Sequence, residues 1–290
     1  MIQLPSTHQW FENLTAADRA VLRHGAAALG YELGDLERDA DALAFVLAHR
    51  TTYDAIFAGR EGEALVNTSP FLVFAVIVHR TWAELQDATV VEEWVGVRQR
   101  LPVLGAGDLR DFLASAPRRF FLVELLASYT RVVSGSTWVQ TRRGWQRRRF
   151  SELDPVRLAS LLEAVPDPER AGVYRRLGDL ALFLTGVFPD NTAQGGLAPI
   201  AEERLLRLSG LRPDDLPPTS GSPGAVGLLE HLGERWYRLA LRSVHGPIVG
   251  SLATVAEVAD RFTAARRTLN VLTDRFVFPL RAQWFGNPAA

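Results

Sequence analysis

Three ionisable side chains interrupt or adjoin apolar stretches whose residue spacing predicts buried helices. They are His79, Glu124 and Asp179, and Asp179 interrupts the apolar run Leu177–Phe188. Such groups on adjacent helices can form an acid–base or metal site, because the bundle interior keeps them dry and shifts their pKa values. Together with Tyr237, they are the candidates for a catalytic site inside the bundle.

A structural role for the same residues is the favoured interpretation. Arg175 precedes Asp179 by four residues, and a helix places that pair on one face, which predicts a structural ion pair. His79 has the surroundings of a core histidine with satisfied hydrogen bonds. Glu124 has arginines on and near its own predicted helix, with which it can pair.

Most familiar reaction centres are excluded by composition and spacing. The chain has no Cys and no Lys, so thiolate sites, Cys nucleophiles and Schiff-base chemistry are excluded. None of the six His residues follows an acidic residue by three positions, and neither H-E-x-x-H nor G-x-S-x-G occurs. The sequence therefore predicts no metal site, identifies no cofactor and leaves open whether any reaction is catalysed.

A basic hairpin is the most unusual feature of the sequence. Residues 137–150 have the pattern of two short strands, with Trp138 and Trp145 among them. Its cationic residues are Arg142, Arg143, Arg147, Arg148 and Arg149. They contribute +5, and because the whole chain carries −1, all other residues together carry −6. These arginines and tryptophans are the predicted binding residues.

The charge balance limits the partners that such a hairpin can serve. A basic finger on an acidic body can bind phosphates, an acidic partner or an anionic membrane surface. A solvated hairpin paired with the protein's own carboxylates remains the structural alternative. Since the whole chain is nearly neutral, nucleic acid is disfavoured, and a protein partner or a small ligand is expected. Homodimerisation is left open.

Helical spacing dominates the chain and predicts an all-α fold. The predicted architecture is a multi-helix bundle around a central apolar helix at residues 174–188, with the hairpin inserted between two helices. Residues 90–97 are also predicted as helical. A repeated device marks helix starts, in which a capping residue precedes proline. It occurs at Ser69-Pro70, Asp154-Pro155, Asp167-Pro168 and Ser222-Pro223.

The predicted domain organisation is one helical domain over residues 1–290. Residues 190–222 are rich in Gly and Pro and are interpreted as a surface excursion or a subdomain boundary, with one short helix near Glu202–Leu208. The most apolar segment, Phe71–Val78, is far shorter than the ~20 residues of a membrane-spanning helix. No secretory signal is visible at the N-terminus, so a cytoplasmic location is expected.

The segment Arg175–Asp190, R-R-L-G-D-L-A-L-F-L-T-G-V-F-P-D, resembles the core motif of a family of uncharacterised helical bacterial proteins. That motif reads R-x-G-D-x-A-L-F-x-x-G-x-F-P-[DE], and the same proteins have a downstream Gly-x-x-x-Tyr helix like Gly233–Tyr237. Ser128–Thr130 and Ser151–Pro155 are also similar. The resemblance implies a helical fold and carries no activity or site residue with it.

Two functional hypotheses follow from the sequence. The preferred one is a non-catalytic helical protein that binds a partner or a small ligand, with the Arg/Trp hairpin as a binding element. The alternative is an enzyme or cofactor-binding protein with a polar site near Asp179.

Overall fold

The computed structural model describes residues 7–57, 67–131, 134–141, 144–215, 224–244 and 246–279. Within these ranges the chain forms fifteen α-helices and two two-stranded sheets, which confirms the all-α prediction with its inserted hairpin. The elements of the first half are α1 (Thr7–Glu12), α2 (Ala16–Ala27), α3 (Leu33–Arg38), α4 (Ala40–Ala48), α5 (Arg50–Phe57), α6 (Pro70–Asp87), β1 (Val91–Gly96), β2 (Gln99–Val103), α7 (Ala106–Leu113) and α8 (Ala116–Ser128).

The second half begins with the predicted hairpin and continues as helices. Its elements are β3 (Ser134–Thr141), β4 (Gly144–Ser151), α9 (Pro155–Ala159), α10 (Arg170–Val187), α11 (Pro189–Gly195), α12 (Pro199–Leu208), α13 (Gly224–Arg242), α14 (Ser251–Asp260) and α15 (Phe262–Leu272). Short 3₁₀ turns lie at Ser160–Glu163, Asp167–Glu169 and Pro213–Asp215, and a π turn follows α15 at Thr273–Val277. Among the helices described, none combines the length and apolarity needed to cross a membrane.

Contacts between Cα atoms divide the chain into two compact units. Unit 1 comprises Met1–Val91, Pro102–Thr130 and Val271–Ala290, and unit 2 comprises Glu92–Leu101 and Arg131–Asn270. The prediction of a single domain over residues 1–290 stays a prediction.

Helix α6 is the core element of unit 1, where it packs against α4 and α8. Its start is tied to the start of α2 by Asp18, which is fully buried. One carboxylate oxygen of Asp18 accepts from the Ser69 backbone N–H at 2.8 Å, and the other accepts from the Thr15 N–H at 2.8 Å. The Thr15 hydroxyl in turn accepts a hydrogen bond from the Asp18 N–H, which completes a capping box at the start of α2. Asp18 therefore both begins α2 and positions the start of α6.

The cap-proline device has two different outcomes among its three predicted positions that the structure describes. Ser69 caps α6 through its hydroxyl, and Asp154 caps α9 through its carboxylate, each directly before proline. Asp167 instead begins a 3₁₀ turn that has no side-chain cap. Ser222-Pro223 lies outside the described residues. A local signal therefore predicts where a helical turn starts more reliably than what kind of turn it is.

Helix α10 is the core element of unit 2. It corresponds to the central helix predicted at residues 174–188, but it begins four residues earlier and ends one residue earlier. Its main partner is α13, and glycines let the two helices approach closely. A Cβ atom at Gly178 would lie 2.6 Å from the Tyr237 ring, and one at Gly233 would lie 2.8 Å from the Ala181 Cβ. Both distances are too short for real side chains, so this packing requires glycine.

The helix predicted at residues 90–97 is wrong, because the chain forms strand β1 there, which pairs with β2. Val97 and Arg98 connect the two strands, and Arg98 has a φ of 55°, which non-glycine residues rarely adopt. Valines at positions 90, 91, 95 and 97 favour a strand over a helix, since branching at Cβ restricts χ1 in a helix.

The predicted excursion at residues 190–222 contains more helix than its composition suggests. The predicted short helix is confirmed and extends from Pro199 to Leu208, and most of the unpredicted α11 also lies in this region. Residues 216–223 lie outside the described residues. The interpretation as a surface excursion or subdomain boundary stays a prediction.

Candidate functional site

Asp179 lies in a closed polar cluster between α10 and α13. Arg175 donates from Nε to the Asp179 Oδ1 at 2.9 Å, and the Tyr237 hydroxyl donates to the same oxygen at 2.8 Å. Tyr237 is fully buried and Asp179 is 9% exposed. The Arg175 guanidinium also stacks 5.7 Å from the centre of the Tyr237 ring. The structure thus contains the predicted Arg175–Asp179 ion pair and adds Tyr237 to it.

His79 lies in a second closed cluster, in unit 1. Its Nδ1 is 2.8 Å from the Ala75 carbonyl oxygen and its Nε2 accepts from the Arg119 Nε at 3.3 Å. The carbonyl requires the proton on Nδ1, and the arginine requires a lone pair on Nε2, so the ring is neutral. Burial, and then the charge of Arg119, lower the pKa of His79 to about 3.

Arg119 is itself buried without a carboxylate in direct contact among the described residues. Its Nη1 donates to the Leu113 carbonyl at 2.6 Å, and its guanidinium lies 4.1 Å from the centre of the Trp82 ring. Burial lowers the pKa of Arg119 to about 10, although the charge of Asp41 opposes this shift. The carbonyl and aromatic contacts allow the cation to remain inside the unit.

Glu124 does not belong to the core, which corrects its predicted placement. It is exposed on α8, whereas the flanking residues Val123 and Leu125 are buried. Ser128, one turn later, is exposed as well, so a narrow stripe of this mostly buried helix reaches the surface. The exposed stripe could not be predicted from the apolar residues around Glu124, because a single polar residue does not define a helical face.

The hairpin has a defined strand register. Trp138 pairs with Arg147, Ser136 with Arg149 and Gln140 with Trp145. Cross-strand partners and residues two positions apart share a face of a two-stranded ladder. Trp138, Trp145, Arg147 and Arg149 therefore lie on one face. Arg148 lies on the other face, because it pairs with Thr137. Arg142 and Arg143 lie outside the described residues.

A pocket of about 310 Å³ lies in unit 2 where α10 turns into α11, and we call it the junction pocket. Proline lacks the N–H needed to continue α10, so Pro189 ends that helix and begins α11. The apolar residues of its wall include Leu153, Pro155, Phe183, Leu184, Phe188 and Leu229. The rings of Phe183 and Phe188 meet edge to face, with centroids 5.5 Å apart.

The polar part of the junction pocket is small and comes from α11. The Thr192 hydroxyl donates to the Leu184 carbonyl at 3.0 Å, which satisfies it within the wall. The Asn191 side-chain amide makes no hydrogen bond with any residue that the structure describes. Gly195 and Gly196 also line the pocket, and Gly196 has a φ of 56°, which favours glycine. No ionisable side chain is among the described lining residues.

Two polar anchors hold the helices that form the junction pocket. Asn270 donates from Nδ2 to the carbonyls of Thr185 and Gly186 at 3.1 and 2.7 Å, which satisfies the C-terminal end of α10. Asn270 in turn accepts from the Arg266 Nη1 at 3.1 Å, and Arg266 forms a buried ion pair with Glu230. Sequence reasoning missed this network, since its members are scattered over α10, α13 and α15.

Asp190 is the second anchor, at the start of α11. Its Oδ1 accepts from the Trp94 Nε1 at 2.7 Å and from the Arg98 backbone N–H at 2.8 Å, and Arg100 lies near its Oδ2. Burial raises the pKa of Asp190, but these hydrogen bonds and the Arg100 charge outweigh it, so the pKa is lowered. Sequence reasoning identified Asp190 only as the last residue of the core motif and did not predict this anchoring role.

Neither closed cluster nor the junction pocket contains a metal-like arrangement of ligands. Among the residues that the structure describes, no three His, Asp or Glu side chains are grouped so as to hold a metal ion. His79 and Glu124 belong to unit 1, whereas Asp179 and Tyr237 belong to unit 2. Of the four candidate catalytic residues, the structure brings only Asp179 and Tyr237 into contact.

Comparisons of the chain with protein-family models, with curated proteins and with solved structures give no match. The resemblance to a family of helical bacterial proteins therefore stays a prediction.

Proposed function

We propose that the protein is a non-catalytic helical binding protein and that unit 2 takes a small, predominantly apolar ligand in the junction pocket. The observation that carries this proposal is the pocket itself, with its volume of about 310 Å³ and its largely apolar wall. Small-molecule sites in proteins are concave, mostly apolar and about 300–1,000 Å³ in volume, with a few polar groups that orient the ligand. The Asn191 amide is suited to that orienting role.

The arrangement of ionisable groups supports binding rather than catalysis. General acid–base catalysis needs an ionisable group within hydrogen-bond reach of the reacting atoms, and none is among the described lining residues. Asp179 accepts hydrogen bonds from Arg175 and Tyr237, and His79 is held between a carbonyl and Arg119. These contacts account for both residues as parts of the packed interior.

The pocket volume sets the size and affinity of the expected ligand. At ~30 Å³ per water-sized group, the pocket holds about ten such groups. Burial of about ten methylene groups contributes roughly 8 kcal/mol, and the loss of translational and rotational freedom reduces this gain. If that loss costs about 4 kcal/mol, the remaining gain of about 4 kcal/mol corresponds to a dissociation constant of about 1 mM for a neutral chain of this length.

Decanol is a suitable neutral probe, and substitution of a pocket glycine tests the location. Gly195→Leu places a side chain at the pocket, where a Cβ at residue 195 meets no protein atom within 4 Å. Gly172→Leu is the matched control, because Gly172 is also an exposed helical glycine with open space around it. Calorimetric titration should show that Gly195→Leu weakens decanol binding at least about tenfold and that Gly172→Leu does not.

Failure of the unmodified protein to bind decanol, or equal binding by both variants, would overturn the proposal. Far-UV circular dichroism of both variants establishes that they remain folded.

A further inference from the structure

The α11 face of the junction pocket presents one carboxamide that makes no hydrogen bond with the described residues. Gly195 follows Asn191 by four residues and Thr192 by three, so the helix places all three along the same wall. Asn191 is exposed, and its side-chain amide is the group without a described partner. A Cβ at Gly195 would meet no protein atom within 4 Å, so open space lies one turn along from the carboxamide. This face therefore combines an available polar group with room for the head group of a ligand.

The other polar side chain of this face has less hydrogen-bonding capacity left. The Thr192 hydroxyl donates its only proton to the Leu184 carbonyl, so it can still accept a hydrogen bond but can no longer donate one. A carboxamide has two N–H donors and a carbonyl oxygen with two lone pairs, all in one plane. Asn191 can therefore donate and accept at the same time, which suits a head group that has both functions.

The charged side chains that flank the wall compensate one another. Glu152 precedes the lining residue Leu153 and pairs with Arg176 at 3.3 Å. Asp154 follows it and pairs with Arg157 at 3.1 Å while capping α9. The carboxylate that anchors the start of α11 accepts the hydrogen bonds from β1 and β2 described above. These flanking residues offer no unpaired counter-charge to an anionic or a cationic head group, so they favour a neutral one.

We propose that the junction pocket is selective for an apolar chain that ends in a neutral primary carboxamide, and that Asn191 determines this selectivity. The ligand's carboxamide has the same donor and acceptor groups as Asn191, so the two can form a pair of N–H···O hydrogen bonds side by side. The chain lies against the apolar wall. This inference rests on the proposed function, because the pocket must first accept the apolar chain.

Five probes that share an eight-carbon chain test the head group in an NMR titration of the unmodified full chain. Octanamide has about ten non-hydrogen atoms, which matches the capacity of the pocket. It should bind about fivefold more tightly than octanol, because it makes one hydrogen bond more. N-methyloctanamide should lose this preference, since its trans N–H and C=O point in opposite directions. Octanoate and octylammonium should each bind at least about fivefold more weakly than octanamide, because neither meets an unpaired counter-charge.

Two variants locate the head group. Asn191→Ala should abolish the preference for octanamide over octanol, while both probes still bind, which shows that the pocket remains intact. Gln194→Ala is the matched control, because Gln194 is an exposed carboxamide of the same helix and is not among the described lining residues. This control should keep the preference. The side-chain NH₂ signals that Asn191→Ala removes from the spectrum belong to Asn191, and in the unmodified protein octanamide should shift them.

The outcomes separate this inference from the proposed function. If octanol binds and octanamide shows no preference, or if the preference survives Asn191→Ala, Asn191 does not recognise a carboxamide. Binding of N-methyloctanamide, octanoate or octylammonium as tight as that of octanamide also overturns the inference. If octanol and octanamide both fail to bind, the proposed function itself is overturned.

Discussion

The middle and the C-terminal end of helix α10 differ in how they are packed within unit 2. At the middle, Gly178 admits the Tyr237 ring, and the space around Asp179 is filled by Arg175 and Tyr237. At its last turn, Pro189 redirects the chain and Gly195 and Gly196 supply no side chains, so a pocket remains. At Gly178 the missing side chain lets the Tyr237 ring fill the space. At Gly195 and Gly196 the missing side chains leave the space of the junction pocket unfilled. The difference teaches that a polar residue on a buried helix is weaker support for a binding site than an unfilled apolar corner.

The strongest test of this comparison places the same side chain at the filled site and at the open site. Gly178→Leu should lower the free energy of unfolding by about 3 kcal/mol, because it overpacks the Tyr237 ring. Gly195→Leu should change it by less than about 1 kcal/mol, since its Cβ enters open space. Urea denaturation measures both. Equal destabilisation by the two substitutions would contradict the contrast between a filled and an open site.

Lowering the pH tests the second closed cluster, which surrounds His79. The pKa of His79 is lowered from its ordinary value of 6.5 to about 3 in the folded protein, so the unfolded chain takes up a proton first. His79 therefore contributes stability above pH 6.5 that is lost as the pH falls from 6.5 towards 3. Between pH 6.5 and pH 5 the expected loss is about 2 kcal/mol.

Urea denaturation at both pH values measures this loss in the wild type, in His79→Gln and in His8→Gln. The His79 variant should lose the corresponding pH dependence, whereas His8→Gln should retain it because His8 is exposed. An unchanged pH dependence in His79→Gln would show that other groups produce it.

The closed cluster around Asp179 should matter for stability and not for binding. Tyr237→Phe and Asp179→Asn should each lower the free energy of unfolding by about 1 kcal/mol, because each weakens the shared hydrogen bonds. The double variant should lose less than the sum, since both substitutions disrupt one interaction. Decanol affinity should stay within about twofold in all three. A tenfold or larger loss of decanol affinity would break the comparison and favour the alternative site near Asp179.

The smallest expected effect concerns the polar edge of the junction pocket. Asn191→Ala should weaken decanol binding about threefold through the loss of one hydrogen bond. It should leave the free energy of unfolding nearly unchanged, because the amide bonds to none of the described residues. Gln194→Ala, an exposed polar residue of the same helix, is the control and should have no effect on binding. Calorimetric titration compares the two variants.

Local interactions explain the features that could be predicted before the structure. The capping residues Ser69 and Asp154, the helix around Asp179 and the Arg175–Asp179 spacing all depend on residues within about four positions of one another. The hairpin was predictable from its strand pattern and turn, and its register now extends from Ser134 to Ser151. Glu124 was misplaced because the apolar run around it did not reveal the exposed stripe of α8.

Long-range contacts explain what could not be predicted. A helix is predicted where strand β1 lies, and the hydrogen bonds that join Trp94 and Arg98 to Asp190 of α11 connect residues more than 90 positions apart. The junction pocket was not predicted at all, because its wall combines residues from Leu153 to Leu229 that share no local motif. No spacing rule connects them, since their proximity depends on how the helices pack.

The amino-acid sequence by itself determined the helical elements, the hairpin with its five arginines, the absence of cysteine chemistry and the pairing of Arg175 with Asp179. Capping, helical periodicity and charge are set by neighbouring residues, so these features do not depend on the rest of the fold. Only the tertiary structure decided that Tyr237 closes the space around Asp179 and that the α10–α11 junction leaves an apolar pocket. Whether a space is filled depends on which side chains other helices bring to it, and those helices come from distant parts of the chain.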